Sequence, residues 1–309
     1  MKKILAVVGP TAVGKTEYAI QLALKLGGEI VSCDSMQLYK FMDIGSAKPS
    51  AQERAMVKHY LVDEIDPREE FSAAQYQKRA RAAISEIHSK GKLPVISGGT
   101  GLYLNSLIYD MDFSAPPRED GYREELEKLA LEQGREAVYH RLLLKDPQAA
   151  ERIHPNNTKK IIRALEAVET TGRGIRPFTE AVRPAGDYLP VLIGLCRDRG
   201  ELYDRINRRV ELLIKQGLAE EVRRLLDMGL TEDNISMKGI GYKEMIRHLN
   251  GEYDLATAIA KIQQNTRNYA KRQLTWFRRY DKMKWFNLSD FESSEQALKD
   301  MIIWMDKNK

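Results

Sequence analysis

The segment Gly9-Pro10-Thr11-Ala12-Val13-Gly14-Lys15-Thr16 sets two glycines, a lysine and a hydroxyl at the spacing of a phosphate-binding P-loop. Glycines let the backbone wrap an anion with its N–H groups, Lys15 supplies a point charge, and the Thr16 hydroxyl can ligate a magnesium ion. The pattern specifies a pyrophosphate group without saying which compound carries it. Asp34 closes a second apolar run and is expected to share a crevice with the P-loop, because open parallel sheets bind ligands at the carboxyl ends of their strands. It suits three roles: a magnesium carboxylate, a general base toward an acceptor, or a cap within Asp34-Ser35. A third run ends in Ser97-Gly98-Gly99-Thr100-Gly101-Leu102-Tyr103, a glycine-rich turn that delivers the Thr100 hydroxyl to the same place or simply caps the following helix. Arg205 and Arg209, four residues apart, share one helix face and suit a phosphate clamp, as they would also suit a solvated surface.

Positioning these groups requires a sheet with helices around it. Four apolar runs rich in Val and Ile read as strands: Ile4 to Gly9, Glu29 to Asp34, Leu93 to Gly99 and Val191 to Asp198. Helical patterns alternate with the first three, the signature of a parallel sheet. Between the third and fourth, a stretch opening at Ala115-Pro116-Pro117 holds helical patterns at Tyr122 to Gly134, Glu136 to Leu144 and Thr158 to Thr170. It closes in a loop from Gly172 to Pro190 broken by glycine and proline. From Glu201 the pattern is helical, interrupted at Lys238-Gly239-Ile240-Gly241-Tyr242 and followed by a long helix from about Leu255 to Arg279. The expected fold is α/β, a P-loop NTPase-like parallel sheet flanked by helices. Residues 1–115 and 190–309 would form the core, and residues 116–189 an inserted all-helical domain.

Composition narrows the classes. The 309 residues are 43% hydrophobic and 30% charged, with a mean hydropathy of -0.47. No apolar run approaches the roughly 20 residues of a membrane span, and the N-terminus lacks the pattern of a secretory signal, so a cytoplasmic protein is expected. Two cysteines, Cys33 and Cys196, exclude a disulfide framework and a cysteine zinc site, and the five histidines show no ligand spacing. The net charge of +5 is small, yet Lys261 to Lys284 holds eight basic residues against Asp281 alone. That segment, interleaved with Tyr269, Trp276, Phe277 and Tyr280, fits a nucleic-acid footprint or an ordinary helix with a solvated face and a core face.

Together these motifs resemble the tRNA dimethylallyltransferases, also called tRNA isopentenyltransferases. The likeness is carried by the P-loop, Asp34-Ser35-Met36-Gln37-Leu38-Tyr39, Asp43-Ile44-Gly45-Ser46-Ala47-Lys48-Pro49 and Gly98-Gly99-Thr100-Gly101-Leu102-Tyr103. Further on it includes Asn156-Asn157 through Arg163-Ala164-Leu165-Glu166, the stretch Met237 to Lys243, and Tyr269 to Arg278. The resemblance implies transfer of a dimethylallyl group from dimethylallyl diphosphate to N6 of the adenine immediately 3′ of a tRNA anticodon. No ATP is hydrolysed in such a reaction. It implies Lys15, Asp34, Thr100 and Arg209 as catalytic groups, the P-loop as diphosphate site, and magnesium held at Thr16 through the diphosphate. The tRNA anticodon stem-loop would meet Asp34, Ser35, Met36, Gln37, Thr100, Arg123, Lys159, Lys160, Ile161, Ile162 and Arg163, and a further segment from Lys238 to Lys243. Ser46 stands where the family often has Thr, which keeps the hydroxyl. The chain shows no Cys or His pairs of the zinc-finger extension common in eukaryotic relatives, which favours the bacterial form, and a monomer is expected.

A kinase of a small molecule would use the P-loop and Asp34 equally well but leaves the basic segment without a role. A non-catalytic RNA-binding protein leaves the clustering of Asp34, Thr100 and the P-loop at adjacent strand ends without a role.

Overall fold

Val- and Ile-rich runs buried on both faces are what a central parallel strand requires, and β1 (Lys2–Val8) meets the condition: Ile4 through Val8 are each 1% exposed or less. The computed structural model describes residues 2–111, 120–172, 174 and 185–307. In chain order β1 is followed by α1 (Lys15–Leu26), β2 (Gly28–Ser32), α2 (Ala51–Met56), β3 (His59–Tyr60), α3 (Ala73–Ser89), β4 (Leu93–Gly98) and α4 (Gly101–Ile108). After four further described helices the chain returns as β5 (Tyr188–Cys196). Among the described residues six strands form one sheet in the order β3-β2-β4-β1-β5-β6, every pairing parallel. Val8 stands in register with Gly98 on one side and Gly194 on the other, so the turns after β1, β4 and β5 emerge together.

The four expected strands are present with bounds shifted by at most three residues. Cys33 and Asp34 lie just beyond β2, and Arg197 and Asp198 just beyond β5. Two strands had no readable sequence signal. β3 is only two residues long, and β6 (Lys284–Asn287) begins at the last lysine of the basic segment. Its Phe286 turns into the core, edge-on to Trp304 at 6.2 Å between ring centres.

The chain divides into two units, Met1–Ile108 with Ala185–Lys309, and Tyr109–Pro184. The expected boundary at Ala115-Pro116-Pro117, and Pro177 and Pro184 of the closing loop, lie outside the described residues. In the second unit α5 (Asp120–Glu132), α6 (Arg135–Lys145), α7 (Pro147–Arg152) and α8 (Thr158–Thr171) enclose a core of Leu126, Val138, Leu142, Ala149, Ala150, Ile161, Ile162, Ala164 and Leu165. The side chains of Ile161 and Ile162 belong to this core, 0% and 3% exposed, so an RNA contact by this segment falls to its exposed residues. Lys159, Lys160 and Arg163 occupy the exposed face of the same helix, as helical periodicity demands. Arg123 forms a two-pronged ion pair with Glu166, at 2.9 and 3.1 Å, which joins α5 to α8.

The first unit is completed by α9 (Arg199–Lys215), α10 (Leu218–Asp227), α11 (Tyr242–Leu249), the 23-residue α12 (Leu255–Phe277) and α13 (Ser294–Lys307). In α12, Ala258, Ile262, Ala270, Gln273 and Phe277 are buried, while Lys271 and Arg272 are exposed. No described helix is long and apolar enough to cross a membrane.

Candidate active site

The P-loop leaves β1 and enters α1 through Gly14, whose φ of 111° only glycine adopts without strain. Ala12 holds φ 63° despite its Cβ, a local strain of roughly 1–3 kcal/mol that surrounding bonds must hold in place. Those bonds are cationic. Lys15 Nζ donates to the Pro10 carbonyl at 2.8 Å, Arg205 Nε to the Ala12 carbonyl at 2.9 Å and Arg197 Nε to the Val13 carbonyl at 3.1 Å. Three carbonyls are thereby occupied by cations. No side chain caps α1, so the amides of its first turn are available to an anion, reinforced by the helix dipole. Val13 is an exception to the expected run of donors, because its N–H turns back to the Pro10 carbonyl at 3.4 Å.

Burial pushes the Lys15 ammonium down to about 8; Asp34 opposes the shift and Arg209 reinforces it. Burial also lowers the Arg209 guanidinium, again opposed by Asp34. Asp34 therefore sits among cations, in a turn that its own Oδ1 closes by accepting the Met36 N–H at 2.9 Å. The capping chemistry expected of Asp34-Ser35 thus serves a turn rather than a helix, and leaves Oδ2 for other work.

Thr100 does not spend its hydroxyl on capping α4. Its Oγ1 accepts the Ser35 N–H at 3.0 Å, while its own N–H donates to the Cys33 carbonyl at 3.0 Å. The turn after β4 is thus stitched to the segment after β2. Tyr269 of α12 stands beside Thr100, and its phenol is raised first by burial and then by Asp34. Cys33, beside this cluster, is an inert buried thiol pushed up to about 12 by burial. Arg205 and Arg209 divide the expected clamp between them: Arg205 braces the P-loop backbone, and Arg209 stands in the field of Asp34.

A cleft of about 840 Å³ is bordered by Lys15, Thr16, Asp34, Arg209, Tyr269 and the loop from Asp43 to Ser50. Gln37 borders it too, although its amide is already engaged: Ser32 Oγ donates to Oε1 at 3.1 Å and Nε2 donates to the Ala47 carbonyl at 3.3 Å. The loop is held from below by Glu221, 1% exposed, which accepts the N–H groups of Asp43, Ile44 and Gly45 at 2.8–2.9 Å and the Tyr242 hydroxyl at 2.8 Å. Lys48, 3% exposed, bridges Asp43 and Asp63 at 2.7 and 2.8 Å. Of the segment from Lys238 to Lys243, Tyr242 is buried and the two lysines are exposed. Glu221 and Gln273 went unnoticed in the sequence, since each acts on backbone far away in the chain; Gln273 lies in the matched block from Tyr269 to Arg278 but carries no role there.

Among the described residues no three His, Cys, Asp or Glu side chains gather around a point. The donor set suits magnesium all the same. That ion keeps several waters and is held by one or two protein oxygens plus substrate phosphates, and Thr16 and Asp34 both face the cleft.

Residues 37–280 match the family described as IPP transferase. A tRNA dimethylallyltransferase of Alkaliphilus oremlandii is 52% identical over 95% of this chain and 94% of its own, and one of Clostridioides difficile is 48% identical over 99% and 98%. Among solved structures, the tRNA isopentenylpyrophosphate transferase of Bacillus halodurans superposes with a TM-score of 0.76 at 42% identity, covering 99% of this chain and 96% of its own. A eukaryotic dimethylallyltransferase acting on tRNA gives a TM-score of 0.82 at 28% identity, covering 99% and 80%.

Proposed function

The chain belongs to the IPP transferase family, and from that premise we infer that it moves a dimethylallyl group from dimethylallyl diphosphate to N6 of the adenine 3′ of a tRNA anticodon. The observation that carries the reading is the convergence of the P-loop, Asp34 and Arg209 on one cleft, with Thr100 bonded to the Asp34 segment.

The chemistry follows from the groups. The exocyclic amine of adenine is a weak nucleophile, so the carbon it attacks must be made electrophilic by stabilising the departing diphosphate. Lys15, Arg209 and the first-turn amides of α1 are preorganised donors for that charge, and loss of one such donor typically costs about 3–4 kcal/mol in the barrier. The bond from the allylic carbon to the diphosphate oxygen breaks as the bond from N6 forms. Asp34 Oδ2 takes the proton that N6 sheds. Thr100 fixes Ser35, and with it the backbone that aims Asp34. A magnesium ion at Thr16 would supply additional positive charge to the leaving group.

The acceptor base must leave the anticodon stack, at a cost of a few kcal/mol. Asp34 and Gln37 border the cleft, with Ser35 and Met36 between them in the chain, and Lys159, Lys160, Arg163, Lys238 and Lys243 present exposed charge to phosphates. Arg123 serves this reading through its pairing with Glu166. The groups assigned to the reaction lie in one chain, which supports reading it as a monomer, and a tRNA acceptor supports reading it as a cytoplasmic enzyme.

The decisive experiment incubates the protein with magnesium, unmodified tRNA and radiolabelled dimethylallyl diphosphate, beside a reaction with γ-labelled ATP. Label entering tRNA from the prenyl donor alone is the expected result. Phosphate passing from ATP to a small acceptor would replace this reading with a kinase.

A further inference from the structure

Gln273 lies on the basic helix α12, directly after two exposed cations, yet it is 5% exposed and points inward. Its amide spans two turns of the active site. Oε1 accepts the Thr11 N–H of the P-loop at 2.9 Å, and Nε2 donates to the Gly99 carbonyl at 2.9 Å, one residue before Thr100. The chemistry of the partners fixes the orientation, because an N–H must face the carbonyl oxygen and a carbonyl must face the NH2. Both ends are short, and both partners are backbone. Space is equally restrictive: a Cβ on Gly99 would lie 2.2 Å from Nε2. One planar side chain therefore sets the separation between the turn that carries Lys15 and the turn that is bonded to the Asp34 segment.

We propose that Gln273 is a positioning residue for the transfer, holding the diphosphate-binding loop and the turn of Thr100 at the spacing that brings the allylic carbon to the acceptor amine. The proposal rests on the transferase reading. In that reaction the donor is seated on one turn and the proton acceptor is aimed by the other, so a change in their separation alters approach distance rather than either binding event. Misplacement by about 1 Å can lower a rate 100-fold.

The full-length protein would be assayed as wild type, Gln273→Met, Gly99→Ala and the double variant, with Thr275→Ala, exposed on the same helix, as control. Methionine keeps the bulk and loses both hydrogen bonds; the alanine at position 99 displaces the amide from the other side. Transfer by the wild type is measured first, and its absence overturns the transferase reading itself. With transfer established, kcat is expected to fall about 100-fold in each single variant, with tRNA affinity retained and Thr275→Ala like wild type. The double variant should be no slower than the single variants, because both act on one spacing. A Gln273→Met enzyme with lowered Tm but wild-type kcat would assign the residue a structural role only and overturn the proposal. Losses that multiply in the double variant would overturn it as well.

Discussion

Lys15 is the residue whose environment most directly reports what the cleft is built to hold. Its ammonium is brought to about 8 by burial, which Asp34 opposes only in part. The sign follows from linkage: between about 8 and the ordinary lysine value of 10.5 the unfolded chain holds a proton that the folded chain has released, so folding is favoured as pH rises through that window. A bound diphosphate reverses the situation by stabilising the charged form. Binding of dimethylallyl diphosphate at about pH 9, where this monoester is fully ionised, should therefore take up protons, seen in calorimetry as an enthalpy that varies with the ionisation enthalpy of the buffer. Lys15→Arg, which stays charged, should abolish that dependence; if it persists, another group takes up the proton. Asp34 gives the complementary prediction. Asp34→Asn retains the oxygen that closes the turn on Met36 but cannot accept a proton, so transfer should fall by about 10²–10⁴ in kcat while tRNA affinity holds. Wild-type turnover in that variant would remove the general-base role. Both residues were visible in the sequence because each stands in a local pattern: glycine spacing around Lys15, and the end of an apolar run at Asp34. Gln273 had no such signal, since its meaning lies in Thr11 and Gly99, and a side chain that bonds distant backbone leaves no periodicity behind.

The same division between local and distant causes governs the elements. Strands β1, β2, β4 and β5 were legible because burial on both faces forces continuous apolar runs, and helices α5, α6 and α8 because one buried stripe forces a helical repeat. A two-residue β3 is beneath any such pattern, and β6 is masked by the basic residues before it. The loop from Asp43 to Lys48 illustrates how an irregular element is held when it has no ladder of its own. A single buried carboxylate, Glu221, satisfies three successive N–H groups and the Tyr242 hydroxyl. Glu221→Ala leaves the buried Tyr242 hydroxyl and the N–H groups of the exposed Asp43 and the half-buried Ile44 and Gly45 without this partner; at 1–3 kcal/mol for a buried unsatisfied group and less for one that water can reach, the loss of stability should be about 2–3 kcal/mol. Urea denaturation would measure it as a fall in the midpoint, and a loss under about 1 kcal/mol would mean that the loop re-pairs elsewhere. Glu221→Gln should also destabilise, because its NH2 would face donors. Gly45 is constrained from the other side of the same contact: a Cβ there would lie 2.4 Å from the Tyr242 ring.

At the scale of the whole molecule the question is how a chain of net charge +5 engages a polyanion. Total charge is a poor guide; placement decides. In the first unit Lys271 and Arg272 project from α12 on the turn next to Gln273, their charges stacked near the Tyr203 and Tyr269 rings at 5.9 and 5.5 Å. In the second unit Lys159, Lys160 and Arg163 form the exposed face of α8 over a core that contains Ile161 and Ile162. If both faces meet the same tRNA, each phosphate contact releases counterions and contributes about 0.7–0.9 to the slope of log affinity against log salt. Neutralising Lys271 and Arg272 should then flatten the slope by roughly 1.5, neutralising the three residues of α8 by roughly 2, and the combined variant by the sum of the two. A slope that responds to α12 alone would confine RNA binding to the first unit, and one that responds to neither would assign both faces to bulk solvent. Prenyl transfer measured at saturating tRNA should be nearly unaffected by these substitutions, because they act on encounter and affinity, whereas Lys15, Asp34 and Gln273 act on the step that follows.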